Sequence, residues 1–389
     1  MPNLRSRPLV TLLSSLICVV LLFLATVSFA ADSAKIDLLV NDAISRKLIA
    51  GGVVLIGNRD RVIFQRAYGR VSPLPDAPPM TTGTVFDLAS LTKVVATTPS
   101  VLKLAEEGRL SLLDPVVKWF PELAGHGKDN VLVLNLLTHT SGLDDLPLSK
   151  EEPMKSAIQG AAAQKLKGEV GSRFRYADLN FILLAELVKR ATGAGLDLYT
   201  QASFYRPLGM LDTTFNPPDK QRCSPTIRDE VLVQGEVQDG QARLLGGVAG
   251  HAGLFSTAGD LAKFCRMMLS GGVLDGERVL AQRTVEQMTA PYFARGGDVI
   301  RGLGWDISSP YSSPRGLGFS KVSFGHTGYS GSSIWIDPVS DTFVILLTAR
   351  LDYKNVHQFN QLRAELSTLA SVLFVVPPEL REMAHLHDQ

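Results

Sequence analysis

The spacing of apolar positions changes period twice along the chain. After an apolar N-terminal run, SAKIDLLVNDAISRKLIAGG (33–52) repeats at helical spacing and predicts an amphipathic helix ending at Gly51. GVVLIGN and RVIFQRAYG then read as two strands around a polar turn, and residues 71–83, rich in Pro, Ser and Thr, read as a loop. TVFDLA is a short extended run. Helical spacing resumes at about Leu91 and continues through Val94, Val95, Val101, Leu102 and Leu104, with Pro99 either kinking or restarting that helix. The middle, roughly 90 to 290, is mostly helix and long loop. Its clearest helices are DLNFILLAELVKRATG and TAGDLAKFCRMMLSGG, the second with Thr257 and Asp260 placed as a capping box. Near the end the period returns to two in KVSFGHTG, GSSIWIDP and DTFVILLTAR, before a closing helix over about 357–373. Strands at both ends with helices between predict an α+β fold, in which one antiparallel sheet is assembled from the two termini around an inserted helical region.

The first thirty residues stand apart. Arg5 and Arg7 precede a long apolar run, and Ser28-Phe29-Ala30 offers a small-x-small cleavage site, so residues 1–30 are expected to be a signal peptide or membrane anchor. An exported, periplasmic protein follows, anchored to the inner membrane by residues 9–30 if the segment is retained. The globular domain is expected over 31–375 and a tail over 376–389. The formal charge is +1, and −1 once Arg5 and Arg7, the charged residues of the first thirty, are gone; this balance argues against nucleic-acid binding. Cys223 and Cys265 remain in the mature part, where a disulfide is permitted, but their spacing does not say whether they pair. No zinc-type Cys/His spacing is present, and no metal or cofactor is expected.

Candidate chemistry begins at Ser-x-x-Lys, which occurs at Ser90/Lys93 and again at Ser100/Lys103. Three residues apart on a helix, the two side chains share a face, and a neutral amine there could take the hydroxyl proton. Ser90 has the better setting, at a first helical turn where unpaired N–H groups favour an oxyanion. Ser100 and Lys103 are read as positions on a solvated helix face. Tyr176 with Asp178 precedes a helix, Asp178 being also a candidate cap, and His326-Thr327-Gly328 falls on a late strand. His139 is read as a loop residue holding backbone groups. His251 lies in a glycine-rich connection lacking the Lys-Ser/Thr of a phosphate loop and is a candidate substrate contact.

With SLTK at 90–93, YAD at 176–178 and HTG at 326–328 in that order, the chain resembles the penicillin-binding-protein and class C β-lactamase family of serine hydrolases. LLTHTSGL, GHAGLFSTAGDLAKF and the SSIWIDP hairpin extend the likeness over about 35–375. The resemblance implies that Ser90 carries an acyl group and that Lys93 and Tyr176 handle its proton, Lys93 with a depressed pKa. Which of the two is the acylation base stays open. It further implies an oxyanion hole from the N–H groups of Ser90 and Tyr329, with Asp178, His326, Thr327, Gly328 and His251 meeting substrate. Two positions depart from the family pattern. Asp178 stands where an amide is more common and, ionised, can only accept hydrogen bonds. His326 stands where strong β-lactamases carry lysine, so its charge opposite a substrate carboxylate should fade as pH rises through about 6 to 7.

The expected function is an exported serine acyl-hydrolase acting on cell-wall-derived peptide or amide bonds, of DD-peptidase or muropeptide amidase type, with a small-molecule or peptidoglycan-derived substrate and no protein partner. The alternatives are a broad esterase or β-lactamase, a non-catalytic penicillin or peptidoglycan sensor, and a metallohydrolase using His139, His251 and His326.

Overall fold

The computed structural model describes residues 33–293 and 299–374, so the expected signal or anchor at 1–30 and the tail at 376–389 lie outside the described residues. No helix among the described residues is long and apolar enough to cross a membrane. An eight-stranded antiparallel sheet forms the centre, in the order Tyr292–Phe293, Ile300–Arg301, Asp306–Ser308, Phe324–Thr327, Ser333–Asp337, Thr342–Arg350, Ile49–Gly57 and Val62–Gly69. The first and last long strands meet in its interior, with Val53 opposite Leu347 and Leu55 opposite Ile345. This is the expected closure of the two termini.

Both faces of the sheet's centre are covered, and the strands Ile49–Gly57, Ser333–Asp337 and Thr342–Arg350 are accordingly buried at nearly every position. Val54, Ile56, Trp335, Val344 and Leu346 face the helix over 33–45 and the C-terminal helix Val356–Leu373, through Ile36, Val40, Phe359, Leu362 and Leu366. Val53, Leu55, Ile334, Ile336, Ile345 and Leu347 point the other way, into a larger core shared with the helical region between residues 90 and 290. That region includes the helices Thr98–Glu106, Asp178–Thr192 and Ala258–Leu269.

Four local expectations need correction. The first helix stops at residue 45, and the strand starts at Ile49. Lys47 turns left-handed (φ 57°), and Gly51 is a strand residue whose Cβ would lie 2.4 Å from the Tyr68 carbonyl oxygen. The Ser90 helix is not one regular element. A 3₁₀ turn, Ala89–Leu91, leads into a π-helical segment, Lys93–Thr97, and regular helix begins at Thr98 with Pro99 in its first turn. Ser100 is fully buried, not solvated, and its Oγ donates to the Ala96 carbonyl at 2.7 Å. The capping box is half made: Thr257 Oγ1 accepts the Asp260 N–H at 3.2 Å, while the Asp260 carboxylate turns to the Asp212 N–H and Thr213 Oγ1.

Close backbone approach fixes the connection behind the site. A Cβ on Gly250 would sit 2.0 Å from the Phe181 carbonyl oxygen, and the Gly250 carbonyl accepts from Thr97 Oγ1 at 2.6 Å. Gly250→Ala must push the 250–252 turn off the Asp178–Thr192 helix. It is expected to cost roughly 1–3 kcal/mol, read as a lower melting temperature in thermal unfolding; an unchanged melting temperature would show that this contact yields freely.

Candidate active site

Three chain segments converge on one ammonium. Lys93 is fully buried, and its Nζ donates to Ser90 Oγ at 2.9 Å and to the His251 carbonyl at 3.1 Å, and lies 2.7 Å from Asp178 Oδ1. A charge so placed is tolerable only because each of its three donors meets an acceptor. Burial pulls the Lys93 ammonium down, but Asp178 and Tyr176 outweigh it and hold it above the ordinary lysine value. The expectation of a depressed pKa is therefore corrected: the carboxylate of Asp178, unlike an amide, keeps the amine protonated. Burial likewise pushes Asp178 up, and Lys93 and then His251 hold it below the usual carboxylate range.

Each side chain is delivered by a pinned turn. Ala89, immediately before Ser90, is left-handed at φ 46°, an unusual conformation for alanine held by its N–H donating to Asp87 Oδ1 at 2.8 Å. Thr92 Oγ1 donates to the Ala89 carbonyl at 2.7 Å and accepts the Leu254 N–H at 3.1 Å, tying the turn to the strand Leu254–Ser256. Tyr176 precedes the helix Asp178–Thr192. Asp178 is that helix's first residue, not its cap, which is Ala177. Its carboxylate forms an ion pair with Lys93 and remains partly exposed. His139 does hold backbone: its Nδ1 accepts the Ala177 N–H at 3.2 Å. It also stacks on Tyr176 with centroids 4.5 Å apart. Burial raises the Tyr176 phenol above its usual value, with Lys93 acting in the opposite sense.

The strand Phe324–Thr327 forms the facing wall. Its outer neighbour pairs with it only at Asp306 opposite Gly325, which leaves the His326–Thr327 backbone outside that ladder among the described residues. A Cβ on Gly328 would lie 2.3 Å from the Leu88 carbonyl oxygen, so only glycine lets this strand end rest against the Ser90 turn. Ser332 Oγ and Ser330 Oγ donate to the Leu88 and Asp87 carbonyls at 2.8 and 2.6 Å and fasten the same junction. Ser90, Tyr176, Asp178, His251, His326, Thr327, Gly328 and Tyr329 all line one cavity of about 580 Å³, with Lys93 beneath it.

His326 differs from expectation. It is buried, its Nδ1 lies 2.9 Å from the Thr327 carbonyl, and its ring is 6.2 Å from that of Tyr176. Burial, then Arg301 and Lys93, push it well below the ordinary imidazole value, so it is neutral across the range in which a positive charge was expected. Sequence reasoning missed the cations that do line the cavity: Arg301, bound to Asp306 at 3.1 Å, and Arg350 and Arg363. It also missed Asp239, whose Oδ1 meets His251 Nε2 at 2.9 Å. An arginine ending the apolar run DTFVILLTAR was the available signal for Arg350; Asp239 sits in a polar turn with none.

Asp178, Asp239 and His251 come within 4.8 Å of one another, but Lys93 already neutralises the first, and the three histidines of the metal alternative form no ligand group among the described residues. Cys223 and Cys265 are buried free thiols.

A model of the Beta-lactamase family matches residues 36–367. A protein of Escherichia coli K12 named "Putative D-alanyl-D-alanine carboxypeptidase" is 33% identical, over 76% of this chain and 77% of its own. A protein of the same name from Salmonella agona is 30% identical over 76% of this chain. Among solved structures, EstCE1, "a hydrolase with promiscuous acyltransferase activity", superposes with a TM-score of 0.72 at 22% identity, covering 90% of this chain and all of that one. A penicillin-binding protein homologue from Caulobacter crescentus gives 0.71 at 20% identity, covering 88% and 98%. The chain belongs to the β-lactamase-fold family of serine hydrolases.

The burial of neutral His326 makes stability depend on pH. With its native pKa below the unfolded value of about 6.5, the unfolded chain binds the extra proton, so the residue's contribution is full above that pH and is lost as pH falls toward the native pKa. Urea unfolding between about pH 5 and 7 should show His326→Asn with a weaker acid destabilisation than the wild type. Equal slopes would mean that His326 titrates normally.

Proposed function

We propose that this protein is an exported serine hydrolase that acylates Ser90 and acts on short cell-wall-derived peptides or amides ending in a free carboxylate, in the manner of a DD-peptidase. Export rests on residues 1–30, and the substrate class is supported by the names of the curated relatives. The observation that carries the carboxylate is a pair of cations without counter-ions. Arg350 and Arg363 both line the cavity, both stack on Phe359 (4.3 and 4.5 Å), and among the described residues neither has a carboxylate within ion-pair distance. Their hydrogen bonds go to neutral acceptors: Arg350 to the Tyr329 and Asp352 carbonyls, Arg363 to the Gly328 and Ser332 carbonyls and to Asn360 Oδ1 at 3.1 Å. Burial and the neighbouring Arg350 lower Arg363 to about 9. Two buried like charges favour an anion between them. This pair takes the role first expected of His326.

The proton inventory orders the steps. Lys93, already charged, can take the Ser90 proton only as it gives one of its own to Asp178; that transfer is uphill in the resting pair, where Lys93 is held high and Asp178 low, and the 2.9 and 2.7 Å separations place donor, relay and acceptor in reach. Ser90 Oγ then attacks the substrate carbonyl, and the oxyanion lies between the N–H groups of Ser90 and Tyr329. Tyr176, a phenol with a raised pKa, protonates the leaving amine as the carbon–nitrogen bond breaks. Its phenolate recovers a proton from Lys93, which takes one back from Asp178. The net result is the loss of one proton by Ser90 and the gain of one by the leaving group, and water repeats the cycle on the ester. A broad esterase, the second reading, shares every step but needs no anion subsite.

Intact-mass spectrometry after incubation with a fluorescent penicillin and, separately, a fluorophosphonate should place an adduct on Ser90 and none on Ser100; a wild-type protein that forms no Ser90 adduct would end this reading. Asp178→Asn should slow acylation about a hundredfold at neutral pH. Its residual rate should climb from about pH 7 to about 10, because Lys93 must then lose its proton first, while the wild-type rate stays flat. A variant as fast and as flat as wild type removes Asp178 from the relay. Arg350→Gln should raise KM roughly tenfold or more for a substrate ending in a D-amino acid and leave the matched neutral ester unchanged; equal effects on both would favour the esterase.

A further inference from the structure

One buried carboxylate near the site has no part in the steps above. Asp87 is 3% exposed, three residues before Ser90, and it meets no cation at ion-pair distance among the described residues. Its two oxygens accept two backbone N–H groups from different parts of the chain: Oδ1 from Ala89 at 2.8 Å and Oδ2 from Gln238 at 2.7 Å. Its own carbonyl accepts from Ser330 Oγ at 2.6 Å. Asp87 therefore joins three segments that border the cavity. The first is the left-handed Ala89 turn that presents Ser90. The second is the 238–239 loop, whose Asp239 holds His251, the residue whose carbonyl accepts from Lys93. The third is the 328–332 turn that carries Tyr329.

We propose that Asp87 is a positioning residue for acylation: by accepting both N–H groups at once, it sets the position of Ser90 relative to the Tyr329 N–H and to the loop behind Lys93. A hydroxyl nucleophile and an oxyanion donor on separate segments must agree within a fraction of an ångström, and a misplacement of about 1 Å can cost a hundredfold. Only an ionised carboxylate offers an acceptor to both N–H groups. Its protonated form, like an asparagine amide, presents a hydrogen toward one of them.

The environment makes this device sensitive to acid. Burial raises Asp87 to about 6 against the pull of the Gln238 and Ala89 N–H groups. The other ionisable groups facing it are Asp239 and Arg243 around the helix Gly240–Leu244, the Cys223 thiol, and the Tyr353 phenol. Asp239, Cys223 and Tyr353 do not change charge near that pH. His251 holds Asp239 well down against burial, and burial pushes Cys223 up to about 11 and Tyr353 to about 12. Acylation should accordingly weaken as pH falls through about 6.

This inference rests on Ser90 being the acylated residue, and the test separates the two. Acylation of the full-length protein by a neutral nitrophenyl ester is followed from about pH 5 to about 8, alongside melting temperature. Wild type should show an acid limb near pH 6. Asp87→Asn should lower kcat by roughly ten- to a hundredfold with KM within about threefold, and its acid limb should disappear. Gln238→Pro, which deletes one N–H and leaves Asp87 in place, should shift the limb to higher pH, because the carboxylate loses a donor that stabilises its charge. A folded Asp87→Asn that keeps the wild-type limb overturns the proposal, as does a Gln238→Pro limb that stays put; the second result decides the matter if Asp87→Asn does not fold. Absence of any Ser90 adduct in wild type strikes at the function itself, not at Asp87.

Discussion

The site is built around a cation that has been taken out of water. An ammonium at the bottom of a cavity must be surrounded by acceptors, and Lys93 obtains them from Ser90, Asp178 and the His251 carbonyl, residues up to 158 positions away from it in the chain. The requirement works in both directions. The glycine at 250 is needed so that the following carbonyl can come close, and the π-helical segment starting at Lys93 carries the lysine side chain inward before regular helix resumes. Removing any one acceptor would leave a buried donor unsatisfied, a cost of about 1–3 kcal/mol or more when the donor is charged.

That requirement is met by a fold whose two ends are its middle. The strands Ile49–Gly57 and Thr342–Arg350 pair along nearly their whole length, and both faces of the sheet they form are covered by helices. Phe324–Thr327 hangs from this rigid centre through Ser333–Asp337, with Trp335 opposite Gly325. The strand that faces substrate is therefore placed by the core. The helical insertion contributes Ser90, Tyr176 and Asp178 from the opposite side, and the glycine at 328 lets the two halves touch.

Much of this was legible from residue order, and the failures have a common cause. Alternation and helical spacing report which face of an element is apolar, and they located the long strands, the helix Asp178–Thr192 and the closing helix. Three ordered motifs located the residues that meet in the cavity. Electrostatic state was not legible, because it depends on neighbours remote in sequence. Lys93 was expected to be depressed and is raised by Asp178; His326 was expected to be a pH-dependent cation and is kept neutral by burial and Arg301. Ser100 shows the same limit for packing, since a serine on a helix carries no mark of which side its helix buries. The early end of the first helix turned on one left-handed lysine, a local choice that spacing does not encode.

The two guanidinium groups flanking Phe359 give the protein a built-in tension. A fold selected for stability alone would give Arg350 and Arg363 a carboxylate of their own or replace them with apolar side chains; here, among the described residues, neither has a carboxylate at ion-pair distance. Robustness and usefulness are thus set against each other at one point in the chain. Substitutions that harden the protein against heat should accumulate at these arginines whenever selection for catalysis is relaxed, and a lineage that had lost its substrate would be recognisable by that change before its nucleophile decayed.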